Sequence, residues 1–225
     1  MKIAFNNVVK NYGSVNALNG VSFTIKPSEF VFLVGSSGAG KSTLIKLLLA
    51  QIKPSSGEIN INDQDLNSFR KKELDEHRRK IGVIFQDYQL IVDKTIEENI
   101  ALALDISGYP QNQIKSRIDE VTTLVNLHHR QNQFPSQLSG GELQRAALAR
   151  ALAPNPEVIL ADEPTGNLDN ENSWNLLRLF KKINQKFGTT ILMTTHNQDF
   201  IDSLKYRTII IDDGLIVKDL PTKES

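Results

Sequence analysis

The chain has 225 residues, of which 40% are hydrophobic and 23% charged, as is typical of a globular protein with one sizeable core. Lysine plus arginine equals aspartate plus glutamate at 26 each, so the net charge does not favour nucleic acid. The absence of cysteine excludes disulfides and thiolate chemistry. No apolar run approaches the roughly 18 residues of a membrane span, and the first residues lack the apolar segment of a signal peptide. We therefore expect a cytoplasmic protein that meets a membrane only through a partner.

Two strands are predicted before residue 30, at 2–8 and 21–25, where apolar and polar residues alternate. The residues Asn11-Tyr12-Gly13 between them indicate a turn. The flat ring of Tyr12 could stack on a nucleotide base. Packing is the commoner role of a turn tyrosine, so this interpretation depends on the motifs that follow.

A phosphate-binding loop is predicted where the sequence matches G-x-x-x-x-G-K-[ST] at every fixed position. A buried strand is predicted before it at 30–34 and a largely buried helix after it at 43–49. Glycines allow turns in which backbone N–H groups surround phosphate oxygens. Lys41 supplies charge for the β- and γ-phosphates, and the Ser42 hydroxyl can ligate Mg²⁺. An ordinary glycine-rich turn is the alternative, which the full pattern disfavours. The loop comprises Gly35, Ser36, Ser37, Gly38, Ala39, Gly40, Lys41, Ser42 and Thr43.

The next segment contains a predicted strand at 58–62 and a mostly basic stretch at 70–80. A solvated helix or loop face is the expected role of that stretch, and an acidic partner surface is the alternative. A buried strand is predicted at 81–85, and we expect it to bring Gln86 to the phosphate site.

Residues 93–153 carry no strand signal and read as a helical insert, with helices predicted at 96–104 and 114–127. Ser139 and Glu142 then form an S-x-x-E capping box for a helix that runs to residue 153.

Two glycines, Gly140 and Gly141, occupy the first turn of that helix although glycine is a poor helix former. The approach of a phosphate to the N–H groups at this helix start would explain them. The same capping box also begins ordinary helices, so the pattern alone does not decide between phosphate binding and simple helix capping.

Two adjacent acids, Asp162 and Glu163, end a predicted buried strand that begins at 158. Since alternate strand residues face opposite ways, we expect different roles for them. One can hold Mg²⁺, usually through water, and the other can position or deprotonate a water for attack on the γ-phosphate. Two ordinary turn acids are the alternative.

The last part of the chain alternates again between helix and strand. A loop at 164–169 precedes an amphipathic helix at 174–187. A strand at 189–195 ends at His196, at the carboxyl end of a parallel-sheet pattern where ligands bind. Residues 208–217 indicate a hairpin.

Together these residues resemble the ATP-binding cassette (ABC) ATPase family over essentially the whole chain. Tyr12 falls where that family places its adenine-stacking aromatic residue. The six motifs occur in the family's order: Walker A at Gly35–Thr43, the Q-loop at Gln86, the signature at Leu138–Glu142, Walker B at Val158–Glu163, the D-loop at Asn167–Asp169 and the switch histidine at His196.

The resemblance implies an α/β fold with a P-loop NTPase (RecA-like) core, an antiparallel β subdomain and a helical subdomain. The whole chain, 1–225, would form a single ABC ATPase domain. The core and β subdomain would comprise about 1–92 and 154–225, and the helical subdomain about 93–153.

The resemblance also implies hydrolysis of two ATP molecules, with Mg²⁺, between two head-to-tail cassettes. The catalytic residues would be Glu163, His196 and Gln86, and the metal would be held by Ser42, Gln86 and Asp162. Besides Tyr12 and the phosphate loop, ATP would be contacted by Ser139, Gly140, Gly141 and Glu142 of the second copy, with Asp169 coupling the two sites.

Segment 162–169 is similar to a branch that contains cell-division, lipoprotein-releasing and macrolide-exporting ATPases, and within that branch segments 84–90 and 93–95 are most similar to the cell-division members. Lys94 stands where arginine is commoner. This implies an integral membrane partner that contacts about Gln86–Thr95, a location on the inner face of the cell membrane, and a role in regulating cell-wall hydrolysis. A transport ATPase is the alternative. A nucleic-acid-associated cassette is disfavoured by the neutral charge and the lack of a coiled-coil insert.

Overall fold

The computed structural model describes residues 1–222, which form two sheets flanked by helices. The strands are β1 Ile3–Tyr12, β2 Val15–Ile25, β3 Phe30–Val34, β4 Ser56–Ile61, β5 Gln64–Asp65, β6 Ile81–Ile84, β7 Val158–Asp162, β8 Thr190–Thr195, β9 Arg207–Asp212 and β10 Leu215–Leu220. The helices are α1 Lys41–Leu48, α2 Lys71–Arg79, α3 Ile96–Ile106, α4 Ile114–Leu124, α5 Gly140–Leu152, α6 Asn170–Phe187 and α7 Gln198–Leu204. In the described range, no helix combines the length and apolar character needed to cross a bilayer.

The larger sheet has the strand order β10-β9-β3-β8-β7-β6, and the smaller one the order β2-β1-β4-β5. In the larger sheet β3 runs parallel to β8 and β9, and β7 parallel to β6 and β8. Thr194 of β8 pairs with Leu33 on one side and Asp162 on the other. The carboxyl ends of three neighbouring strands are therefore level, and the segments that follow them meet at one edge.

Two hydrophobic clusters fill the molecule, one on each face of the larger sheet. Residues of β3 alternate between them, with Leu33 in the first cluster and Phe32 in the second. The first cluster also contains Leu44 of α1 and side chains of the antiparallel sheet. The second contains Ile100 of α3 and residues of α4, α5 and α6. The helices at 96–152 therefore share a core with the sheet.

The predicted α/β fold class with an antiparallel sheet is confirmed. The division into subdomains near residues 92 and 153 stays a prediction. The predicted start of a helix at 174 is wrong, because α6 begins at Asn170, where the side chain of Asp169 accepts a hydrogen bond from the backbone N–H of Asn172. The short α7 and β5 were not expected. The last three residues of the polar tail, 223–225, lie outside the described range.

Candidate active site

The predicted phosphate loop connects β3 to α1 and is packed against neighbouring strands. A Cβ atom on Gly35 would lie 2.3 Å from the backbone oxygen of Ile211. Gly40 has φ +112°, and a Cβ there would lie 2.7 Å from the oxygen of Ala17. Only glycine allows these two close approaches, so the geometry of the loop requires glycine at both positions.

Lys41 is the first residue of α1 and is only 7% exposed. Its Nζ donates to the backbone oxygens of Gly35 at 2.8 Å and Ser36 at 3.0 Å. The Oε1 of Glu163 lies 3.6 Å from the same nitrogen. The lysine predicted to bind phosphate and the acid predicted to act on water thus form one ion pair.

Asp162 is held by two hydroxyl groups. Ser42 donates to its Oδ2 at 3.2 Å, and Thr194 donates to its Oδ1 at 2.8 Å. Thr194 is fully buried, and its oxygen also accepts from the backbone N–H of Glu163 at 2.8 Å. No sequence motif includes Thr194. Its position in the strand before His196 was the available signal.

Glu163 departs from the strand conformation, with φ +46°. Its Oε2 lies 2.9 Å from Nδ1 of His196. Because the backbone here is left-handed, the alternation of side chains along a strand does not extend to this residue. The prediction that the two acids face opposite ways is wrong, since both carboxylates point into one site, Asp162 toward Ser42 and Glu163 toward Lys41.

Glu163 forms part of the wall of two cavities. One, of about 180 Å³, is lined by the phosphate loop and is called the phosphate-loop cavity; its other lining residues are Ser37, Gly38, Gly40, Lys41, Ser42 and Thr43. The second, of about 280 Å³, is called the D-loop cavity; its other lining residues are Thr165, Gly166, Leu168, Asn170, Ser173, Thr195, His196 and Asn197. Glu163 therefore borders both spaces.

The side chain of Gln86 contacts the D-loop. Its Nε2 donates to Oδ1 of Asn167 at 3.3 Å, and Asn167 Nδ2 donates to the backbone oxygen of Gln86 at 2.9 Å. Gly166 permits this contact, because a Cβ there would lie 2.8 Å from Gln86 Nε2. The structure brings Gln86 to the same edge of the sheet, but its hydrogen bonds go to Asn167 and not to Ser42 or Asp162.

Asp169 caps α6. Its carboxylate accepts from the backbone N–H of Asn172 at 2.8 Å and from the Asn172 amide at 2.6 Å. These hydrogen bonds lower the pKa of Asp169 below its usual value.

The predicted signature forms the start of α5, with a reciprocal capping box. Glu142 Oε2 accepts from the backbone N–H of Ser139 at 2.9 Å and from its hydroxyl at 2.8 Å. These bonds, together with Arg130 at 3.1 Å, lower the pKa of Glu142. Across residues 1–222, no hydrogen bond or ion pair joins 139–142 to the phosphate loop, and neither cavity is lined by the signature.

The two signature glycines also have a packing explanation within the chain, and the approach of a phosphate to them stays a prediction. A Cβ on Gly141 would lie 2.6 Å from Oδ1 of Asn172, and one on Gly140 would lie 3.1 Å from the hydroxyl of Tyr88. Packing within the chain therefore already explains Gly141, so approach of a phosphate is not the only reason for a small residue there.

Tyr12 ends β1 and is 45% exposed. The ammonium group of Lys10 lies 5.2 Å from its ring centroid, a cation–π distance. The structure does not place this ring in either cavity, so stacking on adenine stays a prediction.

Two side chains outside the predicted motifs hold the segment after Gln86. Arg150 of α5 donates to the backbone oxygens of Tyr88 at 3.2 Å and Gln89 at 2.5 Å. The buried Asn99 donates to the oxygens of Ile91, Lys94 and Thr95. No motif marks either residue, because each is one of several polar residues in its helix.

Comparison with known proteins identifies the family. The sequence profile described as ABC transporter matches residues 18–166. The cell division ATP-binding protein FtsE of Bacillus subtilis is 50% identical over 218 residues, which cover 96% of this chain and 95% of that protein. The FtsE of Escherichia coli K12 is 44% identical over 213 residues, covering 94% and 96%.

Solved structures agree. A dimeric bacterial ABC transporter cassette superposes with a TM-score of 0.88 at 36% identity, covering 99% of this chain and all of that one. A dimeric post-hydrolysis state of an ATP-binding cassette bound to ADP and phosphate gives the same TM-score at 35% identity and the same coverage. The chain therefore belongs to the ABC transporter family, as one of its ATPase cassettes.

Proposed function

We propose that two copies of this ATPase form a head-to-tail pair that closes around two Mg-ATP molecules. The closing motion would be transmitted to a membrane partner that acts in cell division. The observation that carries the proposal is that the two halves of the expected site are separate in one chain. Lys41, Asp162 and Glu163 meet at the sheet edge. The signature residues Ser139–Glu142 begin another helix without contacting them. A second copy would supply the missing half.

The roles of the residues follow from their chemistry. Lys41 and the loop N–H groups would bind the β- and γ-phosphates. Glu163 would position or deprotonate the attacking water, and His196, 2.9 Å from it, would contact the γ-phosphate. Most of the rate enhancement would come from charge stabilisation in a closed site from which water is excluded.

The oxygens of Ser42 and Asp162, 3.2 Å apart, fit a magnesium ion, which prefers hard oxygen ligands. The metal would neutralise charge on the β- and γ-phosphates. Gln86 would join Ser42 and Asp162 as a magnesium ligand only after its side chain gives up the hydrogen bond to Asn167.

The membrane partner would be an FtsX-like protein. It would contact about Gln86–Thr95 and hold the ATPase at the inner face of the membrane. This segment exposes two apolar side chains, Ile91 at 39% and Val92 at 68%, while Arg150 and Asn99 hold its backbone.

Beside Arg150 lies a cavity of about 400 Å³, here called the arginine groove. Its lining residues are Asp75, Arg78, Arg79, Ile81, Gly82, Val83, Ala103, Ile106, Ser107, Arg150, Ala151 and Pro154. The FtsE names of the relatives support the division role.

The substitution Glu163→Gln tests the paired site. Loss of the general base should lower ATP hydrolysis by about 10²–10⁴-fold, while ATP binding is retained. The variant should elute as a dimer in size-exclusion chromatography with ATP and as a monomer without it.

The double variant Glu163→Gln/Ser139→Arg is the matched control. It should bind ATP and stay monomeric, because the arginine blocks the surface presented to the second copy. A Glu163→Gln protein that remains monomeric in ATP, or one that hydrolyses ATP at the wild-type rate, would overturn the assignment.

A further inference from the structure

The C-terminal end of α1 has an unusual termination. Helix ends leave carbonyl groups without internal partners. The backbone N–H groups of Gln51 and Ala50 bond to the oxygens of Lys46 at 3.0 Å and Leu47 at 2.9 Å, the pattern of a Schellman motif. Ala50 takes the left-handed conformation, φ +50°, that glycine normally provides there. The termination therefore depends on support from outside the helix.

That support comes from α2, the helix formed by the basic stretch. His77 Nε2 donates to the oxygen of Leu48 at 2.7 Å. Arg78 donates through Nε to Leu49 at 3.0 Å and through Nη2 to Ala50 at 2.9 Å. Two side chains thus satisfy the three carbonyls that the Schellman motif leaves open. The expected solvated face is wrong for His77, which is only 3% exposed, whereas Arg78 remains exposed while it reaches these carbonyls.

The position of α1 matters because its other end is the phosphate-binding end. The helix has only eight residues and begins with Lys41 and Ser42. Because an α-helix is stiff along its axis, a shift of the C-terminal turn moves both side chains relative to Asp162 and Glu163. The cationic guanidinium also suits the negative end of the helix dipole.

We propose that Arg78 is a positioning residue for ATP binding: by clamping the C-terminal turn of α1, it keeps Lys41 and Ser42 in place for the phosphates. The inference rests on the proposed assignment of Gly35–Thr43 as the ATP site. Arg78 reaches no reacting atom, so its effect is transmitted through the helix.

Arg78→Lys is the direct test, because lysine keeps the charge but loses the planar fork that reaches two carbonyls at once. The KM for ATP and the Kd measured with a fluorescent ATP analogue should both rise roughly tenfold, as expected when a charge-assisted contact of about 1.4 kcal/mol is lost. Arg79→Lys is the matched control. Arg79 is the next residue, lines the same groove and makes no side-chain hydrogen bond among residues 1–222. Its KM and Kd should stay within twofold of wild type.

The KM separates positioning from simple destabilisation, since unfolded protein lowers the apparent kcat but leaves the KM of the folded fraction unchanged. An Arg78→Lys protein with a lower melting temperature but wild-type KM and Kd would overturn the inference. Lys41→Ala distinguishes this failure from failure of the proposed function. If Lys41→Ala also binds the analogue normally, the assignment of the ATP site is wrong; if only Arg78→Lys is normal, the positioning role alone is wrong.

Discussion

One hydroxyl group, that of Thr194, organises both acids of the site. It donates to Asp162 and accepts from the backbone of Glu163, which is held with φ +46°. A non-glycine residue in this conformation carries a backbone strain of order 1–3 kcal/mol, so the surrounding contacts must hold it in place.

Replacing this residue by its isostere, Thr194→Val, should therefore weaken both stability and catalysis. The part-buried N–H of Glu163 would lose its partner, which costs up to about 1–3 kcal/mol. Urea denaturation should show this loss, and kcat should fall because Asp162 and Glu163 each lose one of the contacts that hold them. Thr194→Ser keeps the hydroxyl and should retain most of the activity. Equal activity of the valine and wild-type proteins would contradict the role of the hydroxyl.

His77 should make the stability of the fold depend on pH. Burial is the main cause of its lowered pKa; the charges of Arg78 and Lys80 act in the same direction, while the Leu48 carbonyl and Glu157 oppose it. Since the folded pKa lies below the unfolded value of 6.5, the unfolded state binds more protons in this window. Stability should be full above pH 6.5 and fall as the pH drops from there toward the folded pKa.

Melting temperatures between pH 7.5 and 5.5 test this expectation against His77→Gln. The glutamine amide can still donate to Leu48 but does not titrate, so its curve should be flatter. Parallel curves for the two proteins would show that other groups cause any pH dependence.

At the residue scale, site residues could be predicted where they belong to a motif with fixed spacing. Lys41, Ser42, Asp162, Glu163 and His196 could be predicted, and they meet. Thr194, Arg78 and Arg150 could not, because each acts through a contact between segments distant in the chain, which single-sequence patterns do not report.

At the scale of elements, prediction succeeded where an apolar pattern was continuous, as in β3, β7 and β8. It failed at the start of α6, where the four residues 170–173 are polar and the cap at Asp169 decides. It also gave an incomplete account of α2. Composition showed a charged helix or loop but not that the buried His77 and the exposed Arg78 both donate hydrogen bonds to the end of α1.

The segment after β6 leads to a prediction about the partner. Asp87 is exposed, and its side chain makes no hydrogen bond or ion pair within the described part of the chain. Asp87→Lys should therefore leave the fold and the ATP affinity unchanged, within twofold, but should abolish co-purification of the membrane partner if this segment forms the contact.

Glu58→Lys, an exposed acid on β4 of the smaller sheet, is the control and should keep the complex. Retention of the complex by Asp87→Lys would contradict the proposed contact. Loss of ATP binding together with the complex would point to misfolding of the variant.

At the scale of the whole molecule, the separation of the signature from the phosphate loop predicts that activity depends on concentration. Specific ATPase activity should rise with protein concentration to a plateau, since only the pair completes a site. ATP bound per chain should stay constant across the same dilution series.

Size-exclusion chromatography at each concentration supplies the comparison. If activity per chain remains constant where the protein elutes as a monomer in ATP, one chain is sufficient for hydrolysis and the paired-site proposal is wrong.

The position of Glu163 in the wall of two cavities has a consequence for how hydrolysis could be blocked. A compound bound in the D-loop cavity would contact Glu163 and His196 without occupying the space of the phosphate loop. Neither residue would then be available to the attacking water or the γ-phosphate. Such a compound would block the proposed hydrolysis step while leaving Lys41 and Ser42 of the phosphate loop uncovered.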